Sequence, residues 1–579
     1  MKKFSSCLFT ILIIFLLGLT PSNDFDSEFE KLADNYLNEY LEWRPQEGTY
    51  LGLHQYDGKV TDLSGSSILT EIQRLEIYNT RLNLTDPNSL SQKNYFDYKL
   101  LQNAVGKELF SFEGRNSFFR NPMTYAGAID VNIYIARDFA PIEDRVRSII
   151  AIEKEAPVIY ANAKANLNDV LPKPFVTTAI SIAKGTADFL GKDLLIALKD
   201  VKDESLMKEF NEANKLAIKE IIAYADYLEK EKLPKADNSY PLGRDRYQKM
   251  LQVNEMINYT PEQIFEIGMK NLKREQELFE ETAKIINPDK KAIDVYKEIQ
   301  NDHPTAENLI PDTRKNLEAI RQFLVDKNIV TIPSEVRALV EETPQYARAT
   351  SFASMDTPGP FEKSTQAYYY VTPVEDSWTD KQKDEWLTAF NYYTTDIVSI
   401  HEAYPGHYIQ FLHVNASPAS KLQKIFGSYA FSEGWAHYTE QMMIDEGFAQ
   451  DKDPLIAAKY RLAQLDESLL RYCRLCVSVK MHCEGMTVEE ATQFFKDNCY
   501  YEEQPARSEA MRGTYDPGYL YYTLGKLMLL KLREDYKKQE GDNYSLQKFH
   551  DQILHHGSPP IPLLREIILT DKSIWKEIL

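Results

Sequence analysis

From about residue 26 to the C-terminus, apolar residues recur at three- and four-residue spacing with charges between them, the pattern of amphipathic helices. DSEFEKLADNYLNEYLEW, RVRSIIAIEKEAPVIYANAKANL and PEQIFEIGMKNLKREQELFEETAKII carry it most clearly. Thr260 reads as an N-cap, with Pro261 just inside the helix start. Strand signals are few. The best is AYYYVTP (Ala367 to Pro373), after the helix-breaking stretch DTPGPFEKST. The pattern predicts a mainly α fold with a small β-sheet. No internal repeat or low-complexity linker interrupts it. KLPKADNSYPLGRD, near residues 233–245, marks a boundary between a helical half (23–240) and a second half (241–579), which are also compatible with one continuous domain.

The first residues follow a different pattern. Lys2 and Lys3 precede the apolar run Leu8 to Leu19, which gives way to Thr20, Pro21, Ser22 and an acidic stretch. This is the layout of a secretory signal peptide over residues 1–22, cleaved near Ser22. An uncleaved anchor is the alternative, but the run is shorter than the roughly 20 apolar residues that span a bilayer. Cys7 precedes the run, so no lipobox is formed. Nothing downstream offers another span, and the mature chain is expected to be exported, periplasmic or extracellular.

Composition adds exclusions. Hydrophobic residues at 43% and charged residues at 27% are the balance of a water-soluble globular protein. A formal net charge of −20, with no cluster of Lys and Arg, excludes a nucleic-acid partner, whose phosphates must be met by basic groups. Outside the signal, Cys473, Cys476, Cys483 and Cys499 fall within 27 residues. RYCRLCVSVKMHC reads as one helix, without the tight turns of a four-thiolate zinc site. If the chain folds back near residues 484–487 into VEEATQFFKDNC, Cys473 or Cys476 comes alongside Cys499, where a disulfide is open.

The chemistry concentrates elsewhere. Five of the ten His (His401, His407, His413, His437 and His482) lie within 82 residues. The usual helix-borne zinc motif, HExxH, sets two His one turn apart with a Glu beside the first. HEAYPGH sets His401 and His407 six apart. On an ideal helix six residues leave the second His about 120° off the first, against about 40° for four residues. Pro405 and Gly406 stand where a widening or kink must absorb the difference. FSEGWAHYTE places Glu433, His437 and Glu440 on one face of a second helix. A Glu ligand on a helix after the HE-bearing one is the arrangement of thermolysin-like zinc peptidases, and three protein ligands leave a position for water. Glu433 is the expected third ligand, with His437 and Glu440 behind it or in the cleft wall.

HEAYPGHYIQ, SEGWAHYTEQ, VSVKMH and YDPGYLYYTLG together resemble the DUF885 family of bacterial proteins, thought to be gluzincin-type metallopeptidases. EGTYLGLHQYDG, NPMTYAGAID and PLGRDRYQKML extend the resemblance nearly end to end. Two departures stand out: Tyr408 where the family often has a second His, and Ser478 where it often has Asp. The resemblance implies a large helical body around a deep cleft, with the small sheet beside a thermolysin-like zinc-binding helix pair. One Zn2+ per chain would be held by His401, His407 and Glu433, with Glu402 as general base. His482 and Tyr522, at positions matching family motifs, are the expected oxyanion donors. The expected activity is zinc-dependent hydrolysis of short peptides, of oligopeptidase, dipeptidase or carboxypeptidase type. AYYYVTP would serve as an edge strand for substrate. The rivals are a zinc hydrolase of a non-peptide amide and a non-catalytic peptide-binding protein of the same fold.

Overall fold

Thr260 accepts the N–H of Gln263 and returns the Gln263 side chain to its own N–H, and this capping box starts a helix spanning Pro261–Ile286 (α1) at the expected residue. The amphipathic segments are helical throughout this computed structural model, which describes residues 22–344, 348, 351–450 and 453–579. The signal segment expected at residues 1–22 lies outside the described residues, apart from Ser22, which opens the helix Ser22–Trp43. RVRSIIAIEKEAPVIYANAKANL forms two helices, Ile142–Lys154 and Ala156–Asn166, because Pro157 cannot donate within a helix interior and starts the second instead. No described helix is long and apolar enough to cross a membrane.

The site-bearing part follows α1 in chain order: α2 (Leu309–Lys327), α3 (Tyr392–Glu402), α4 (His407–Ala416), α5 (Tyr429–Asp445), α6 (Pro454–Glu484), α7 (Val488–Cys499), α8 (Glu503–Tyr515) and α9 (Tyr521–Glu540). Between α2 and α3 lie β1 (Leu339–Glu342), β2 (Ala353–Asp356) and β3 (Tyr368–Val371). The sheet order is β1-β3-β2, with β1 parallel and β2 antiparallel to β3. The AYYYVTP strand is therefore central and has no free edge, which corrects its expected edge role. The edge beside the site belongs to β2.

Three apolar cores result. Two are built from the first part of the chain and the third, largest one mainly from Tyr240 onward. The division is not clean: Phe110 and Phe175 join the large core, and Leu422 and Leu563 join the N-terminal one. Within the large core α5 and α9 cross backbone to backbone. A Cβ on Gly434 would stand 2.5 Å from Gly525 Cα, and one on Gly525 would stand 1.8 Å from Ala430 O. Only glycine fits at either position.

Candidate metal centre

The helix carrying His401 stops at Glu402, and a second helix begins at His407. This is a full break, not a widened turn. Gly406 permits it, since a Cβ there would lie 1.7 Å from His401 O. The buried Trp435 on α5 holds the break in place by donating to Pro405 O at 3.0 Å and Gly406 O at 3.3 Å. His407 thus turns back to the side of His401, and their rings lie 5.0 Å apart at 86°.

Glu433 Oε2, from α5, lies 3.5 Å from His401 Nε2 and 3.5 Å from His407 Nε2. This oxygen is shielded from solvent and makes no ordinary hydrogen bond. The three ligand atoms fall within 4.8 Å of one another, and among the described residues theirs is the one such group. Atoms bound at about 2.0–2.2 Å to a tetrahedral zinc stand about 3.3–3.6 Å from each other, so the two measured edges fit a metal site. Burial works against charge on His401, yet its pKa is pushed up to about 10 by Glu433 and Glu440. For Glu433 burial is likewise outweighed, and the two imidazoles hold its carboxyl well below the usual range.

Behind it, the fully buried Glu440 accepts from His401 Nδ1 at 2.6 Å and from His437 Nδ1 at 3.0 Å, and faces Arg471 at 3.3 Å. His401 is left with Nε2 for the centre. His437 is buried entirely and forms no cleft wall. Burial drives its pKa down to about 3, so it stays neutral. The first turn of α5 is closed by Glu255, a buried carboxylate that accepts the N–H groups of Tyr429 at 3.0 Å and Ala430 at 3.2 Å.

Glu402 faces the sheet. Its Oε2 accepts the Met355 N–H at 3.1 Å. The N–H of Thr372 bonds to Phe352 O, so alternation along the antiparallel ladder turns Ala353 and Met355 to the free edge of β2. The Tyr522 ring, on α9, stacks 6.5 Å from that of His401 and meets that of Tyr429 edge-on at 5.7 Å. Arg471, Arg474 and Arg512 surround it at 5.8, 5.3 and 5.8 Å.

The model of the bacterial proteins of unknown function named DUF885 matches residues 45–568. The chain belongs to the DUF885 family. No curated protein matches it. Its fold is shared with a protein from Shewanella oneidensis described as a lipoprotein candidate of unknown function, at 25% identity and a TM-score of 0.78, covering 93% of this chain and 99% of that one. A second lipoprotein candidate, from Colwellia psychrerythraea, matches at 18% identity and 0.78, over 95% and 100%.

The two departures from the DUF885 pattern are absorbed by packing. Tyr408 donates to Val336 O at 2.7 Å, and Ser478 joins the Tyr247 hydroxyl to Pro517 O, each at 2.7 Å. His482, the other expected oxyanion donor, is placed against backbone. Its Nε2–H goes to Gly513 O at 2.8 Å, its Nδ1 accepts the Leu242 N–H at 3.3 Å, and its ring stacks on Tyr247. Both nitrogens are spent on backbone. The four cysteines are free thiols, with Cys473 and Cys499 buried. Sequence reasoning missed Tyr429, Arg471, Arg512, Glu255 and Met355. None sits in a metal motif, and all but Tyr429, three residues before Ser432, are distant from one in the chain.

Proposed function

We propose that the chain is a zinc-dependent peptidase acting on short peptides outside the cytoplasm. The observation that carries this reading is the buried Glu433 oxygen aimed equally at the Nε2 atoms of His401 and His407. Two imidazoles and a carboxylate suit zinc, and the broken α3–α4 pair facing α5 serves as the thermolysin-like helix pair. When bound, zinc supplies Lewis-acid polarisation of a carbonyl and acidification of a water. Glu402, beside His401, takes the proton of the attacking water and passes it to the leaving amine. Tyr522 donates its hydroxyl to the carbonyl oxygen as that oxygen gains charge. The free edge of β2 holds the substrate backbone next to Glu402.

Cavities of 270, 210 and 1060 Å³ follow the sheet from His407 past Asp356 to Thr372, with Tyr50, Asn132 and Arg137 of the first half along their walls. They support a cleft that admits a thin, extended peptide better than a folded protein. The lipoprotein descriptions of the two structural relatives support export, while Cys7 ahead of the apolar run gives no reason to carry lipid attachment over. Metal analysis followed by a peptide panel with and without chelator tests the reading. About one zinc per chain is expected, lost in His401→Ala, His407→Ala and Glu433→Ala, with hydrolysis abolished by chelation and restored by zinc. A metal-free wild-type protein that still cleaves peptides would sink it.

A further inference from the structure

The 270 Å³ cavity that touches His407 is lined by no carboxylate. Met355, Pro360, Phe411 and Val414 supply apolar walls. Gln410 is held between two neutral hydroxyls, accepting from Ser432 at 3.4 Å and donating to Ser558 at 3.0 Å. The one charged side chain apart from the metal-centre His is Lys424, half-buried on the short helix Lys421–Ile425. Its ammonium makes no ion pair or hydrogen bond with any described residue. The contrast with the arginines around Tyr522 is sharp. Arg471 is paired with Glu467 and Glu440, Arg474 with Glu509, and Arg512 with Asp516. Those cations already have their anions; Lys424 has none.

Placement gives the cavity its use. A sphere of that volume is about 8 Å across, the size of one side chain rather than of a whole small-molecule site. Met355 lines the cavity and also gives its N–H to Glu402, so the cavity borders the part of the β2 edge that lies next to that carboxylate. A chain of net charge −20 repels anionic ligands over most of its surface, and a local unpaired cation is what recognition of such a ligand requires. A carboxylate reaching Lys424 would gain a charge-assisted hydrogen bond, about twice as strong as one between neutral groups.

We infer that this cavity is a subsite for a carboxylate on the substrate residue next to the cleaved bond, with Lys424 as its anchor. The inference rests on the peptidase reading above and names its substrate class. The carboxylate belongs either to an acidic side chain or to the free C-terminus, and two arms of one experiment separate them. In the first arm, zinc-loaded protein is given peptides blocked at both ends that carry Glu or its isostere Gln on either side of the scissile bond. In the second, neutral peptides are offered as free acids and as amides. The expected result is a ratio of about 10–100 in kcat/KM favouring the carboxylate in one arm, the usual value of a hydrogen bond to a charged group. Lys424→Gln should collapse that ratio to about one, Lys424→Arg should preserve it, and Lys424→Glu should invert it toward Lys-bearing peptides. A ratio near one in both arms of the wild type, or one that survives Lys424→Gln, overturns the proposal. Titration of N-acetylglutamate α-amide and N-acetylglutamine α-amide into the Glu402→Gln protein, with and without Lys424→Gln, gives a readout independent of turnover. Lys424-dependent binding of the glutamate compound with no cleavage of any peptide would uphold the carboxylate site and defeat the hydrolytic reading.

Discussion

Glu440 Oε1 stands 2.6 Å from His401 Nδ1, while the other oxygen of the same carboxylate holds His437. One buried acid thereby fixes the tautomer of His401, a candidate metal ligand. Replacing it with Gln keeps the shape but weakens the orientation of His401, and metal affinity should fall about 10–100-fold without being abolished. Competition with a zinc chelator measures this. Unchanged affinity would reduce Glu440 to a core residue.

Glu402→Gln preserves an oxygen for the Met355 N–H but cannot accept a proton. Metal content and melting temperature should match wild type, while kcat falls about 10²–10⁴-fold. Substantial residual turnover would remove Glu402 from the role of base.

Tyr522→Phe leaves the ring stacked on His401 and deletes only the hydroxyl. The expected effect is a kcat lowered about 10²–10³-fold at constant zinc content. If only KM rises, the hydroxyl contacts the substrate in its ground state instead.

His482 belongs to stability. Burial pushes its pKa down to about 4, and that of His550 down to about 3. Both lie below the value near 6.5 of an unfolded His, so the unfolded chain takes up protons first as the pH drops. Their contribution is fully present above about pH 6.5 and is lost on going toward pH 4, with a slope of up to about 1.4 kcal/mol per pH unit for each. His482→Asn should cost about 2–4 kcal/mol at pH 7 through its two backbone partners, and should flatten the acid limb measured by urea unfolding at pH 7, 6 and 5. A parallel limb would mean that the ring does not titrate between the two states.

Gly525→Ala drives a methyl into Ala430 O, a backbone atom that cannot rotate away, so a loss of about 1–3 kcal/mol or more is expected, with weakened zinc retention. Gly185, exposed in the helix Lys173–Gly191 with nothing near its missing Cβ, is the control. There the same change should raise stability by about 0.5–1 kcal/mol. Thermal melts of the pair check both signs.

Much of this was legible because local chemistry and tertiary role coincide. Thr260 and Pro261 mark a helix start by their own hydrogen bonding, and HEAYPGH carries both the two His that come together and the Pro-Gly pair at the break between them. The strand AYYYVTP was legible as a strand but not as the middle one, because its neighbour Ala353–Asp356 is a short segment whose residues are all half-buried and which pairs only by tertiary docking. The Tyr522 motif brings that ring beside His401. His482 came from an equally good motif but sits on backbone, since a sequence cannot say that Gly513 and Leu242 will occupy both of its nitrogens. Glu255 reaches the first turn of α5 from more than a hundred and seventy residues away, and no local pattern encodes that.

The crossing of Gly434 and Gly525 places Glu433 and Tyr522 on neighbouring stretches of two touching main chains. Their separation is therefore set by peptide geometry and not by the volumes of intervening side chains. Over evolutionary time the surrounding apolar residues can exchange size for size while Glu433 and Tyr522 keep their spacing, so sequence drift in this core need not move either of them.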